Sequence, residues 1–138
     1  MGYLNINILA VLAAAVLAFG LGWLWYSPFL FGKQWVAAHG HTPERLEAMK
    51  QGMGRAYAVT FASQLLMAAV MAVLIRMTHI QSLVGGLKLG ILLWAGFVAN
   101  VGLSSHMFSG KHIKTYLLDA GYQLVYLVVM GLVLTAWR

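Results

Sequence analysis

The chain has 138 residues, of which 62% are hydrophobic, and carries 9 Lys and Arg against 3 Asp and Glu, a formal net charge of +6. At a mean hydropathy of +0.81, a soluble globule of this size is excluded, because too little polar surface remains to cover it; lipid must be the solvent. The sequence contains no cysteine, which excludes a disulfide framework, a thiolate nucleophile and Cys-ligated zinc or iron-sulfur centres.

The first apolar stretch runs without charge from Met1 through Gly32. It predicts a helix over about 5–26 that stops at Ser27-Pro28, since proline disfavours helical geometry in the residue before it. Its leading segment lacks Lys or Arg and its apolar run exceeds a signal-peptide core, so it reads as a retained spanning helix. Phe29 to Ala38 mixes Phe, Trp and Lys and suits a short amphipathic segment at the interface. A polar loop over 39–53 follows, in which Thr42-Pro43-Glu44-Arg45 has the signature of a helix start and predicts a short surface helix from Pro43 to Gln51.

No Asp, Glu, Lys or Arg lies between Arg55 and Arg76 or between Lys88 and Lys111, and each interval matches the ~20 residues a helix needs to cross ~30 Å of hydrocarbon. The expected helices are 55–77, 83–108 and 113–137. Leu65 to Ile75 and Leu124 to Leu134 are almost continuously apolar, whereas barrel strands would alternate. The fold class is therefore all-α, an integral membrane bundle of four transmembrane helices in one domain, 1–138, with an up-and-down arrangement favoured by its short links.

Lys33, Arg45, Lys50, Arg55, Lys111 and Lys114 gather at one side of such a bundle, against Arg76, Lys88 and Arg138 at the other. By the positive-inside rule the larger set is cytoplasmic and both termini are outside. The basic residues sit at span ends and not in a stripe with interleaved aromatics, so they answer to lipid headgroups, and no nucleic-acid partner is expected.

Ala10, Ala14, Ala18 and Gly22 recur every four residues in the first helix, and Gly86 and Gly90 repeat the spacing in the third. Such ridges let another backbone approach closely, either within one chain or between copies in a homo-oligomer. Asp119, about seven residues into the last helix, is the one acid outside the polar loop. An ionised carboxylate facing lipid there is costly, so it must face protein or water. Tyr116, Tyr122, Gln123 and Tyr126 share its stripe. In a hairpin turning near Gly110, Asn100 is level with Asp119, and Gln64 falls at a similar depth. These residues predict one polar cluster, read either as a proton, cation or ligand site or as a structural clasp with Arg55 or Lys33 neutralising the acid.

Other features read more plainly. The sequence holds five histidines, and all of them, including His39, His41, His79, His106 and His112, fall at span ends. They read as interface residues, with no metal or haem cofactor expected. Trp23, Trp25, Tyr26, Trp35 and Trp137 mark headgroup levels, and Trp94 is bundle packing. Ser27, Ser104 and Ser105 lack a His and acid constellation, and Glu44 and Glu47 sit on an exposed helix, so no catalytic residue is assigned and no enzyme is expected.

Trp25-Tyr26-Ser27-Pro28, Phe31-Gly32-Lys33 and Trp35 resemble an element of the bacterial membrane family known as domain of unknown function 1761. Gly90, Trp94, Gly96 and Phe97 look like that family's third helix, and Asp119-Ala120-Gly121-Tyr122, Met130-Gly131 and Trp137 look like its last. Ile8 departs from the pattern, which has tryptophan at that place. The resemblance covers essentially the whole chain and implies four helices in a bacterial inner membrane, with no activity attached. From the residues themselves the expected function is transport, channel-like passage or small-ligand binding at Asp119. The alternative is a non-transporting scaffold or accessory subunit for a membrane-protein partner.

Overall fold

In the computed structural model, which describes residues 5–27, 53–110 and 112–137, four helices account for nearly all of the described chain. They are α1 (Ile8–Trp25), α2 (Met53–Met77), α3 (Leu83–Ser109) and α4 (Ile113–Ala136). Each is long and apolar enough to cross a membrane, in agreement with the composition. The predicted interfacial segment, the surface helix at 43–51 and Lys33 lie outside the described residues.

Local chemistry sets the helix ends. The Asn7 side chain accepts from the backbone N–H groups of Leu9 and Ala10 at 3.1 and 3.3 Å, satisfying donors that have no partner inside the helix. Ser82 Oγ does the same for Gly85 N at 3.1 Å. Gly110 closes α3 at φ 69°, a left-handed conformation that glycine adopts without penalty. Asn7→Ala should lower stability by about 1 kcal/mol, seen as an earlier thermal transition of the detergent-solubilised protein.

The end of α1 meets the start of α4 through Trp25 and Tyr26, while its beginning lies with Ile75 and Leu134 around a small cleft. Hence α1 runs antiparallel to both α2 and α4. The last helix is the hub, packing on α1, α2 and α3. The short links predict α2, α3 and α4 as consecutive neighbours, yet α2 and α3 share little direct contact, and α3 docks on α4 instead. The link at 78–82 reverses the chain without pressing the two helices together, which leaves a gap between them.

Small residues explain the close contacts. Ala10, Ala14 and Ala18 are fully buried where α1 meets α2 and α4, so this ridge is consumed inside the chain. A Cβ at Gly86 would collide with Thr135 Oγ1 and lie 2.5 Å from the Gly131 carbonyl oxygen, and one at Gly90 would lie 2.7 Å from the Leu127 carbonyl oxygen. Only glycine permits backbones this close. Leu92, Phe97 and Val101 are exposed on the far side of α3, as lipid-facing residues should be.

The third helix is interrupted by a π-helical turn at Trp94–Val98. A four-residue step drifts by about 40° on an α-helix, and the wider turn takes up that drift. The row Gly86, Gly90, Trp94, Val98, Gly102, His106 thereby stays toward the bundle along the helix. Asn100 Nδ2 donates to the Ala95 and Gly96 carbonyls, each at 3.0 Å, occupying acceptors beside the turn.

Candidate functional site

The gap between α2 and α3 holds a cavity of about 310 Å³. Its walls come from Gln64 and Met67 on α2, Gly102 and His106 on α3, Tyr116, Asp119, Tyr122, Gln123 and Tyr126 on α4, and Tyr26 after α1. Six of the seven residues expected to cluster are therefore brought together: Asp119, Gln64, Gln123, Tyr116, Tyr122 and Tyr126. The seventh, Asn100, is not. It is at the right depth but on the exposed face of α3, because two residues from Gly102 is about 200° around a helix.

Asp119 is held from two sides. Tyr26 Oη donates to its Oδ1 at 2.6 Å, and His106 Nε2 stands 3.5 Å from its Oδ2. Arg55 was one of two expected neutralising partners, but it is exposed at the start of α2, and the ion pair Asp119 makes among the described residues is with His106. The carboxylate side chain remains 24% exposed, opening on the cavity.

Sequence reasoning missed Tyr26 and His106. Tyr26 reads as a headgroup marker by composition, and its reach to Asp119 depends on α1 lying against α4. His106 reads as an interface residue by depth. A signal was present, since His106 continues the four-residue row begun by Gly86 and Gly90.

A second set of contacts fixes the aromatic wall. Tyr122 Oη donates to the Ala18 carbonyl at 2.6 Å and accepts from Gln64 Nε2 at 2.8 Å. The rings of Tyr26 and Tyr126 lie edge-on to Tyr122, at centroid distances of 5.5 and 4.9 Å, an arrangement aromatic quadrupoles favour. Tyr116 Oη donates to the Ala99 carbonyl at 2.8 Å and Trp94 Nε1 to the Ala120 carbonyl at 2.8 Å, so Trp94 does serve packing. Trp25 Nε1 donates to the Leu118 carbonyl at 3.1 Å, and its ring covers Gly121. The Trp25-Tyr26 pair, Trp94 and the Asp119 to Tyr122 segment thus converge on one place.

His106 Nδ1 lies 2.9 Å from the Gly102 carbonyl oxygen. A carbonyl only accepts, so Nδ1 carries a hydrogen and Nε2 is the nitrogen that faces Asp119. Nδ1 is thereby committed, whereas Nε2, 3.5 Å from Asp119 Oδ2, makes no hydrogen bond among the described residues. Among the described residues no group of three His, Cys, Asp or Glu side chains converges as a metal site would require.

Four spanning helices with an acidic, aromatic-walled cavity between two of them define a multi-pass helical membrane protein with a polar site inside its bundle. The chain belongs to the family described as "Protein of unknown function (DUF1761)", whose family model matches residues 9–135. No curated protein and no solved structure matches it.

Proposed function

We propose that this protein binds a small water-soluble ligand in the cavity between α2 and α3, with Asp119 as its anchor, and that it does so as a transporter or channel-like protein. The observation that carries the reading is the partly open carboxylate of Asp119 in the wall of a cavity of about 310 Å³. A group this costly to place within a span is tolerated where it pairs or meets water, and a purely structural clasp would leave no such space beside it. The scaffold reading leaned on the small-residue ridge of α1 and on the basic first loop; the ridge is buried against the chain's own helices, and the loop lies outside the described residues. The reading is binding without bond-making chemistry. A passage built from so few helices needs a second copy to complete it, so a homo-oligomer belongs to the proposal. A bacterial inner membrane, with both termini outside, does too.

The chain's lack of native cysteine makes the test direct. Ser63 lines the cavity, whereas Val101 faces outward on α3. In inverted and right-side-out vesicles, Ser63→Cys should react with a charged, membrane-impermeant methanethiosulfonate from one side, and Val101→Cys should resist it. If Ser63→Cys resists as well, the cavity is closed to water and the reading fails. The side of reaction also reports the orientation.

A further inference from the structure

Several donors of the cavity wall are spent inside the protein: Tyr26 Oη on Asp119, Tyr116 Oη on Ala99, Tyr122 Oη on Ala18, Gln64 Nε2 on Tyr122 and His106 Nδ1 on Gly102. Thr60, Ser63 and Gln123 add further polar groups to the lining. Beside Asp119, acceptors remain open. Gln64 is 3% exposed, and its Oε1 has no hydrogen-bond partner among the described residues. Asp119 Oδ2 has only the 3.5 Å approach of His106 Nε2, itself without a hydrogen bond there. Buried acceptors left open are costly unless something fills them.

The His106 and Asp119 pair adds a proton to this account. With Nδ1–H turned to Gly102, a neutral ring would aim the Nε2 lone pair at a carboxylate oxygen. Attraction requires one proton shared between them. The site is then neutral, and a cation entering it would leave one uncompensated positive charge within the span. Releasing that proton to water restores neutrality and frees the Nε2 lone pair as a third acceptor.

We propose that the cavity binds a primary ammonium cation in exchange for the proton held between His106 and Asp119. R–NH₃⁺ brings three N–H groups to a wall that holds three acceptors, Asp119 Oδ2, Gln64 Oε1 and His106 Nε2, and the Tyr26, Tyr122 and Tyr126 rings supply faces that attract a cation. The balance is R–NH₃⁺ in and H⁺ out, with no bond to carbon broken. An anion would meet the Asp119 carboxylate, and a quaternary ammonium has no N–H to offer these acceptors. The other titratable groups facing the pair among the described residues are tyrosines: Tyr26 from the end of α1, and Tyr116, Tyr122 and Tyr126 on α4. The cavity residues of α2 are not titratable. This inference rests on the cavity being the binding site, as proposed above.

The test uses the full-length protein in zwitterionic lipid nanodiscs, with methylammonium, tetramethylammonium and potassium as probes, followed by calorimetry in amine-free buffers of different ionisation enthalpy. Methylammonium should bind with release of about one proton per site, its affinity rising about tenfold per pH unit while the pair is protonated. Tetramethylammonium and potassium should bind at least about tenfold more weakly, and Gln64→Leu should weaken methylammonium about tenfold through the lost acceptor without changing the protons released. Asp119→Asn should abolish binding. Equal or tighter binding of tetramethylammonium or potassium overturns the proposal, as does methylammonium binding without proton release. If no probe binds while Ser63→Cys still reacts from water, the ammonium assignment fails and the cavity reading stands. If Ser63→Cys is also inert, both fall.

Discussion

Gly131→Val should detach α3 from the bundle, lowering stability by about 3 kcal/mol through overpacking and abolishing ligand binding with it. A Cβ at Gly131 would run into the Gly86 carbonyl oxygen and lie 3.0 Å from the Gly86 carbonyl carbon. Neither atom can yield, because both are backbone in a helix whose next contact, Gly90 against the Leu127 carbonyl, is also too close for a side chain. The loss has no backup. Because α3 meets α2 sparsely and leans on α4, separating the two helices at Gly86 also withdraws His106 from Asp119. Gly20→Ala is the control, since nothing lies within 4 Å of a Cβ there; it should be neutral or stabilising by up to about 1 kcal/mol from helix propensity. Thermal unfolding in detergent, followed by the monodisperse fraction remaining after heating, separates the two. Equal midpoints for Gly131→Val and the wild type would refute the packing described here.

Much of this arrangement was legible before the structure, because hydrocarbon imposes a simple rule on length and charge. Helix positions followed from where Lys and Arg interrupt the apolar runs, and the observed ends moved by only a few residues, as at Asn7, which caps α1 where the apolar run alone placed its residue inside the helix. The acidic stripe on α4 was legible for a related reason. Asp119, Tyr116, Tyr122, Gln123 and Tyr126 share a face by helical spacing alone, so no knowledge of neighbours was needed.

What spacing along one helix cannot give is which face of another helix meets it. Asn100 shows the failure: its depth against Asp119 is correct, but depth says nothing of rotation, and the π turn at Trp94–Val98 makes rotation still harder to read. His106 is the converse. It lies near a span end, where a histidine is cheap and common, and it becomes part of the site only because the Gly86 row stays on α4 through that turn. The gap between α2 and α3 was equally hidden. A short link fixes direction, not contact, and the cavity exists because α4 attracts both helices more closely than they attract each other.

The second large effect is expected at Tyr122, and it discriminates between a network and a list of contacts. Tyr122→Phe keeps the ring against Tyr26 and Tyr126 but deletes the oxygen that joins Ala18 on α1 to Gln64 on α2. The Ala18 carbonyl keeps a helical partner four residues on, whereas Gln64 Nε2, buried beneath lipid-facing helices, loses the acceptor at 2.8 Å. An unmade bond at such a site costs about 1–3 kcal/mol. Gln64→Leu removes the stranded amide itself, so the double variant should be no less stable than Tyr122→Phe alone, and the double-mutant cycle should show coupling of about 1 kcal/mol or more. Simple additivity would mean that the hydroxyl and the amide act independently. Binding offers the second readout: in Tyr122→Phe the amide is no longer pinned, Oε1 is no longer held toward the cavity, and methylammonium should weaken by about as much as in Gln64→Leu. A Tyr122→Phe protein that is destabilised yet binds as tightly as the wild type would leave the network structural and take Gln64 out of the ligand's reach.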